Sequence, residues 1–319
     1  MKRISMVILM LVALTGCQTW SGGTSHPAPI TTAGVQVQRG RPNQVIDGAG
    51  WVLGIPNKLA LWDRRADNHE ISPQTEADLV EYLHSNNLNN VLVRVNQYDP
   101  GGEWKRLTQN KNVSPGWRYT VGTYNTLKYT LIPGRLFGGD WYNPYTNTIN
   151  LSSDIPTLAL SEGAYAKHVH HNTKPGTYAA VREIPFVRLW HEKQANNEVL
   201  SYVKSTGTAQ DHEEAFRIIY PNYGASWGEQ IIGVLPYGKV AGRLVGASVG
   251  HAVNGVRKIT SSDDETAQPA EHFMSEPAVT EPLAIATTPD IPNTAGPAVI
   301  APPAAPIYNA IQPTSTNYQ

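Results

Sequence analysis

Glycine recurs at every fourth position in one stretch of the chain, at Gly238, Gly242, Gly246 and Gly250. On an α-helix this spacing places the four glycines along one side, where a second helix can approach closely. Each helical glycine costs about 1 kcal/mol relative to alanine, so four in phase require a compensating contact. The sequence therefore predicts a glycine-rich helical segment over 221–258. It either forms a hairpin within the domain or acts in membrane contact and self-association.

Charge is distributed unevenly along the chain. The 319 residues include 25 Lys and Arg against 26 Asp and Glu, a net charge of −1. From Ile259 onward, however, there are seven acidic residues and no Lys or Arg. A nearly neutral chain is a poor candidate for a nucleic-acid-binding protein, which needs clustered basic residues. The Pro-, Ala- and Thr-rich composition of 259–319 predicts a disordered acidic tail.

The first 17 residues have the pattern of a secretion signal. Lys2 and Arg3 precede an apolar run that is too short to span a bilayer as a mature helix. The run ends in Leu-Thr-Gly-Cys, and this tetrapeptide resembles the lipobox of bacterial lipoproteins. The resemblance implies that Cys17 is lipidated and, because Gln18 follows it, that the protein is anchored to the periplasmic face of the outer membrane.

Two further inferences follow from the same region. Cys17 is the only cysteine, which excludes an intramolecular disulfide and a thiolate zinc site. The Thr-, Ser-, Gly- and Pro-rich composition of 18–45 predicts a flexible tether.

The body between tether and glycine-rich segment, 46–220, is long enough for one domain of the α+β class. Ser72-Pro73 predicts a helix start, and Asn86-Asn87 its end. Val91 to Val95 predicts a strand. The other predicted elements are a helix over 103–109, an extended segment over 118–131, a hairpin over 141–151, a helix capped by Ser153 or Asp154 and reaching His171, a helix over 177–204 divided near Pro185, and a helix over 209–219.

The clearest motif lies on the predicted helix after the hairpin. It reads Leu-Ala-Leu-Ser-Glu-Gly-Ala-Tyr-Ala over 158–166, and Glu-Lys-Gln-Ala-Asn follows at 192–196. This pattern resembles the active-site region of the gluzincin branch of the zincin metallopeptidases. In that family two histidines of His-Glu-x-x-His bind zinc, the Glu between them activates a water, and a second motif, Glu-x-x-Ala-Asp, supplies the third ligand. The resemblance implies a zincin-like domain with a small sheet and active-site-type helices.

The departures from the family pattern carry the functional argument. The resemblance places Ser161 and Tyr165 where the two histidines belong, Glu162 at the catalytic position and Glu192 at the third ligand, while Asn196 replaces the Asp. Neutral hydroxyl oxygens are poor zinc ligands beside imidazole nitrogen. The sequence therefore favours a domain that has lost its metal and its peptidase chemistry. We expect Tyr165 to hydrogen-bond Glu192 in the emptied site.

Three functions follow from these observations. The favoured one is a lipid-anchored, non-catalytic binding or scaffolding module without a cofactor, whose old substrate cleft is lined by Glu162, Tyr165 and Glu192 and takes a peptide or protein partner. The second is an active metallopeptidase with zinc on His168, His191 and Glu192, although histidines near a helix end are also commonly solvated. The third is a structural membrane-associated protein that acts through its glycine-zipper helices.

Overall fold

The structure is a computed structural model that describes residues 30–32, 34–137, 139–233, 235 and 238–266. The predicted signal peptide with Cys17, the first part of the predicted tether, and the acidic tail after residue 266 lie outside the described residues. The strands are β1 (Ile30–Thr32), β2 (Val35–Arg39), β3 (Leu92–Val95), β4 (Trp141–Asn143) and β5 (Thr148–Leu151).

The helices surround this sheet and dominate the chain. They are α1 (Gln44–Leu53), α2 (Ile55–Leu61), α3 (Pro73–Ser85), α4 (Pro100–Gln109), α5 (Pro115–Trp117), α6 (Thr123–Leu131), α7 (Gly134–Phe137), α8 (Pro156–His171), α9 (Pro175–Val181), α10 (Val187–Thr206), α11 (Ala209–Ile232) and α12 (Gly238–Thr266). A π-helix, Arg118–Gly122, lies between α5 and α6. The predicted α+β class is therefore confirmed.

The sheet has the order β1-β2-β3-β5-β4, with β2, β3 and β5 parallel and an antiparallel strand at each edge. Alternate residues of a strand point to opposite faces, so Val93 and Ile149 enter one apolar core with Leu79 of α3 and Ala164 of α8. Arg94 points to the other face, where its side chain is 1% exposed and pairs with carboxylates of α4 and the preceding loop.

Several elements with strong local signals form as predicted. The Ser72 hydroxyl accepts a hydrogen bond from the Thr75 backbone N–H and caps α3, which ends at Ser85. Strands β4 and β5 form the predicted hairpin, with Asn147 in the left-handed region at its turn, φ 55°. The helix predicted over 177–204 divides into α9 and α10 around Pro185, as expected.

Residues 118–131, predicted as extended, are helical instead. Their Thr, Tyr and Val residues favour strands locally, but tertiary contacts override this preference. Arg118 donates from Nη1 to the carbonyl oxygens of Leu107 and Thr108, and α6 buries Tyr129 beside the polar face of the sheet. The strand preference of residues 118–131 is therefore misleading, because burial in the tertiary structure sets their helical conformation.

The predicted cap of α8 is also wrong. Ile155 is the N-cap residue, and it makes no side-chain capping hydrogen bond. Asp154 instead accepts hydrogen bonds from the backbone and hydroxyl of Ser72 and from the hydroxyl of Thr75. This carboxylate therefore joins the start of α3 to the start of α8.

Three predicted boundaries are corrected by the structure. The 18–45 tether was assigned too far along the chain, because Val35 and Val37 of β2 are buried in the sheet and α1 begins at Gln44. No boundary lies at 220/221, since α11 runs without interruption through Pro221. The final helix reaches Thr266, past the predicted end of the glycine-rich segment at 258.

The four regularly spaced glycines of α12 pack against another helix of the same chain. Helices α11 and α12 form an antiparallel hairpin in which Gly228 lies against Gly242 and Gly224 against Gly246. A Cβ added at Gly246 would lie 2.0 Å from the Gly224 carbonyl oxygen, so the two backbones are in direct contact. The hairpin interpretation is therefore correct, and this glycine face is not available for self-association. Among the described helices, none has the length and hydropathy that a membrane-spanning segment requires.

We predict that Gly228→Ala lowers the free energy of unfolding by about 1–3 kcal/mol, since its Cβ would lie 1.9 Å from the Gly242 carbonyl oxygen. Gly255→Ala is the matched control. It is also helical, but no described atom lies within 4 Å of the added Cβ. The control should gain up to about 1 kcal/mol. Chemical denaturation measures both, and equal effects would contradict the close backbone contact.

Candidate functional site

Most of the sequence-predicted site residues, but not His168, line one cavity of about 120 Å³ between α8, α10 and α11. Helices α8 and α10 pack against each other and present one face each to this space. Residues three or four apart share a helix face, which is why Glu162 and Tyr165 appear together. The predicted residues that line the cavity are Ser161, Glu162, Tyr165, His191, Glu192 and Asn196.

Arg182, which the sequence analysis missed, lies at the centre of this group. It follows α9, and its guanidinium carbon lies 3.9 Å from the centroid of the Tyr165 ring. Burial opposes its charge, but Tyr165, Glu162 and Glu192 outweigh that effect and raise the pKa of Arg182. Its Nε atom is buried and makes no hydrogen bond within the described residues. No motif marks Arg182, because only the packing of α9 brings it here.

Glu162 is engaged with the sheet. Its Oε2 atom accepts a hydrogen bond of 2.8 Å from the backbone N–H of Tyr142 in β4. Burial raises the pKa of Glu162, and Arg182 partly offsets this shift. The carboxylate therefore ties α8 to the edge strand and interacts electrostatically with a guanidinium.

The predicted hydrogen bond between Tyr165 and Glu192 is not formed by these two described residues. The Tyr165 ring stacks on Arg182 and meets Tyr142 edge-on at 5.6 Å. Glu192 instead pairs with Arg188, one helical turn earlier, at 2.7 Å. Arg182 contacts Tyr165 and Arg188 pairs with Glu192, so each of the two residues has an arginine partner in place of the other.

The alternative metal ligands are not grouped as a site. His191 lines the cavity, and its Nδ1 atom lies 3.0 Å from the Val187 carbonyl oxygen. His168 does not line this cavity. Burial lowers the pKa of both His168 and His191. Within the part of the chain that the structure describes, no three His, Cys, Asp or Glu side chains are placed to hold a metal ion together.

Asp140 is a second site residue that the sequence analysis missed. Its Oδ1 atom accepts backbone hydrogen bonds from Ser152 at 2.6 Å and Ser153 at 3.0 Å. Its Oδ2 atom is buried without a hydrogen-bond partner among the described residues. Burial raises the pKa of Asp140 to about 7, although those backbone donors oppose the shift. The carboxyl therefore changes charge near neutral pH.

A second cavity of about 450 Å³ adjoins the first and runs beside β4. The two share Asp140, Glu162, Tyr165, Arg182 and Arg188, so they form one continuous groove. The lining of the second cavity is mixed, with polar side chains from Asn125, Lys128, Asn143 and Glu183 beside an apolar and aromatic part. Its additional lining includes Tyr129, Ile132, Trp141, Tyr142 and Pro144.

Comparisons of the chain with protein-family models, with curated proteins and with solved structures found no match. Functional inference therefore depends on the geometry of this groove.

We predict that the D140N substitution changes how stability depends on pH. The pKa of Asp140 is about 7 in the folded chain, above its ordinary value of 3.8. The carboxyl therefore contributes stability below pH ~4 that is lost as the pH rises through ~7. Asparagine cannot ionise, so the variant should gain up to about 4 kcal/mol relative to wild type between pH 4 and pH 8.

Denaturant unfolding at both pH values measures this difference. D211N is the control, because hydrogen bonds from Thr208 lower the pKa of that exposed carboxyl. Its relative stability should change little over the same range, because a carboxyl whose pKa lies below its ordinary value of 3.8 is mostly ionised above pH 4 in both the folded and the unfolded chain. A D140N difference that is constant with pH would contradict the assignment.

Proposed function

We propose that this chain is a lipid-anchored, non-catalytic binding module with a zincin-like domain, and that its groove holds an extended peptide or a segment of a partner protein. Arg182 is the observation that carries the proposal. In a zincin, a metal cation would lie between the side chains at positions 161, 162, 165 and 192. Here a guanidinium contacts Tyr165 and interacts with Glu162 and Glu192.

The arrangement of elements supports the zincin-like interpretation. The resemblance implies a strand that precedes the first-motif helix and lines the cleft, and a second helix that bears the third ligand. Glu162 of α8 and Glu192 of α10 line one cavity, in support of this interpretation, but the strand beside the adjoining cavity is β4 and not β5, the strand that precedes α8.

The electrostatics favour binding over hydrolysis. A water-activating Glu needs a free carboxylate near a metal-bound water. The Glu162 carboxylate is instead hydrogen-bonded to Tyr142 and near a fixed positive charge. Lewis-acid chemistry requires an open coordination position, whereas a guanidinium offers only N–H donors. The same donors suit a carbonyl or carboxylate of a bound chain.

The adjoining cavity provides the apolar part of the binding site. Ligand sites combine an apolar wall with a few convergent polar groups. Trp141, Tyr129 and Ile132 supply the wall, and Arg182 and Arg188 supply the polar end. The proposed anchor is the lipidated Cys17 at the periplasmic face of the outer membrane, as the lipobox resemblance implies.

Zinc content tests the proposal against the metallopeptidase alternative. We predict far less than one zinc per chain, by elemental mass spectrometry, in the chain from Gln18 to Gln319 purified without chelator or an added histidine tag. The triple variant S161H, Y165H and R182A should take up zinc, because it restores the two histidines and removes the competing cation. R182A alone is the control and should remain zinc-free.

One zinc per chain in the unmodified protein would contradict the proposal. Circular dichroism of each variant checks that it folds. If the triple variant does not fold, R182M replaces R182A in it.

Peptide binding tests the groove itself. We predict that I132D weakens the binding of heptapeptides selected from a random array by about tenfold, since it places a charge on the apolar wall. L131D is the matched control, because Leu131 is adjacent and similarly exposed but does not line the groove. Fluorescence anisotropy with labelled peptides measures both. Equal losses, or no selected peptide, would contradict the proposed site.

A further inference from the structure

Helices α1 and α2 expose an unusually apolar surface. Six large side chains on this segment are between 38% and 81% exposed. We call them the α1–α2 apolar face: Val45, Trp51, Val52, Leu53, Leu59 and Trp62. Soluble domains carry scattered exposed apolar residues, but a contiguous run on one short segment marks a contact surface.

The face carries no exposed charge of its own. Only Asp47 and Lys58 are charged between Gln44 and Trp62. Asp47 pairs with Arg135 at 2.7 Å. The Lys58 ammonium is buried and donates to the carbonyl oxygens of Trp51 and Asp67. Both charges are therefore held by internal partners, and the large exposed side chains of the segment, apart from Gln44, are aliphatic or indole groups.

Trp62 is held outward by its surroundings. Its backbone lies in the left-handed region, φ 51°, which is unusual for a bulky residue. Its ring stacks on His251 of α12 at 3.9 Å, and His251 Nε2 lies 2.9 Å from the Ala60 carbonyl oxygen. The indole is 72% exposed in spite of this stacking. A rigid, exposed indole is suited to a membrane interface, where tryptophan is enriched.

The position of the face in the chain indicates what covers it. Ile30 of β1 follows Cys17 by 13 residues. A chain of that length reaches at most about 45 Å when fully extended. On the proposed lipid anchor, the domain therefore stays within about one domain diameter of the bilayer. A single lipidated site also gains stability from a second membrane contact.

We propose that the α1–α2 apolar face lies in the interface of the bilayer to which the chain is anchored. This contact is separate from the binding groove, and it rests on the anchor part of the proposed function. Insertion of uncharged aliphatic and indole groups is driven by apolar burial. Binding should therefore change little with added salt, unlike binding through basic residues.

Vesicle sedimentation tests this proposal on the non-acylated chain from Gln18 to Gln319, which retains every described element. The vesicles contain phosphatidylethanolamine and phosphatidylglycerol. We expect the unmodified chain to bind and the double variant V52S and L59S to bind about tenfold more weakly, since two apolar side chains are lost from the contact. The matched control is V245S and V249S, which removes two similarly exposed valines from α12.

The control should bind like the unmodified chain. Hydrogen exchange with vesicles present should also protect the amides of α1 and α2 more than those of α12. Failure of the unmodified chain to bind vesicles, or equal losses in both double variants, would overturn the proposal. A dimer that only V52S and L59S dissociates would also overturn it, because a second copy would then cover the face. The peptide affinity of V52S and L59S should remain unchanged, which separates this test from that of the groove.

Discussion

A buried guanidinium stacked on a tyrosine ring defines the polar end of the groove. The Arg182 guanidinium contacts the Tyr165 ring of α8, and Glu162 of α8 and Glu192 of α10 line the same cavity and raise the pKa of Arg182. Glu162 extends the arrangement to the sheet through the Tyr142 backbone. The groove therefore combines a buried guanidinium with a carboxylate that is hydrogen-bonded to the sheet.

The elements that could be predicted from sequence are those with local determinants. Ser72 and Pro73 define a helix start through capping geometry, and Asn147 accepts the left-handed turn of the β4–β5 hairpin. The motif on α8 and α10 likewise brought Glu162 and Glu192 into one cavity as expected. Each of these depends on residues close in sequence or on a known spacing.

The remaining features depend on long-range packing, which leaves no local pattern. Arg182 reaches the site only because α9 packs beside α8, and Asp140 becomes unusual only when burial raises its pKa. Residues 118–131 have the composition of a strand but fold as helix around Arg118 and Tyr129. The site residues that could not be predicted, Arg182 and Asp140, are thus those whose pKa values are set by burial and by neighbouring groups.

The continuity of α11 limits how the α11–α12 hairpin can be separated from the rest of the domain. The helix begins beside the sheet domain, supplies Asn222 and Ser226 to the groove wall, and ends in the glycine hairpin. Arg243 of α12 lines the same wall, and Ala247 packs on Ala60 and Ala225. Recombination that separated the hairpin from the domain would open the groove and expose these small residues to water. The sheet domain and the hairpin therefore depend on each other, and loss of the hairpin alone would also remove part of the groove wall.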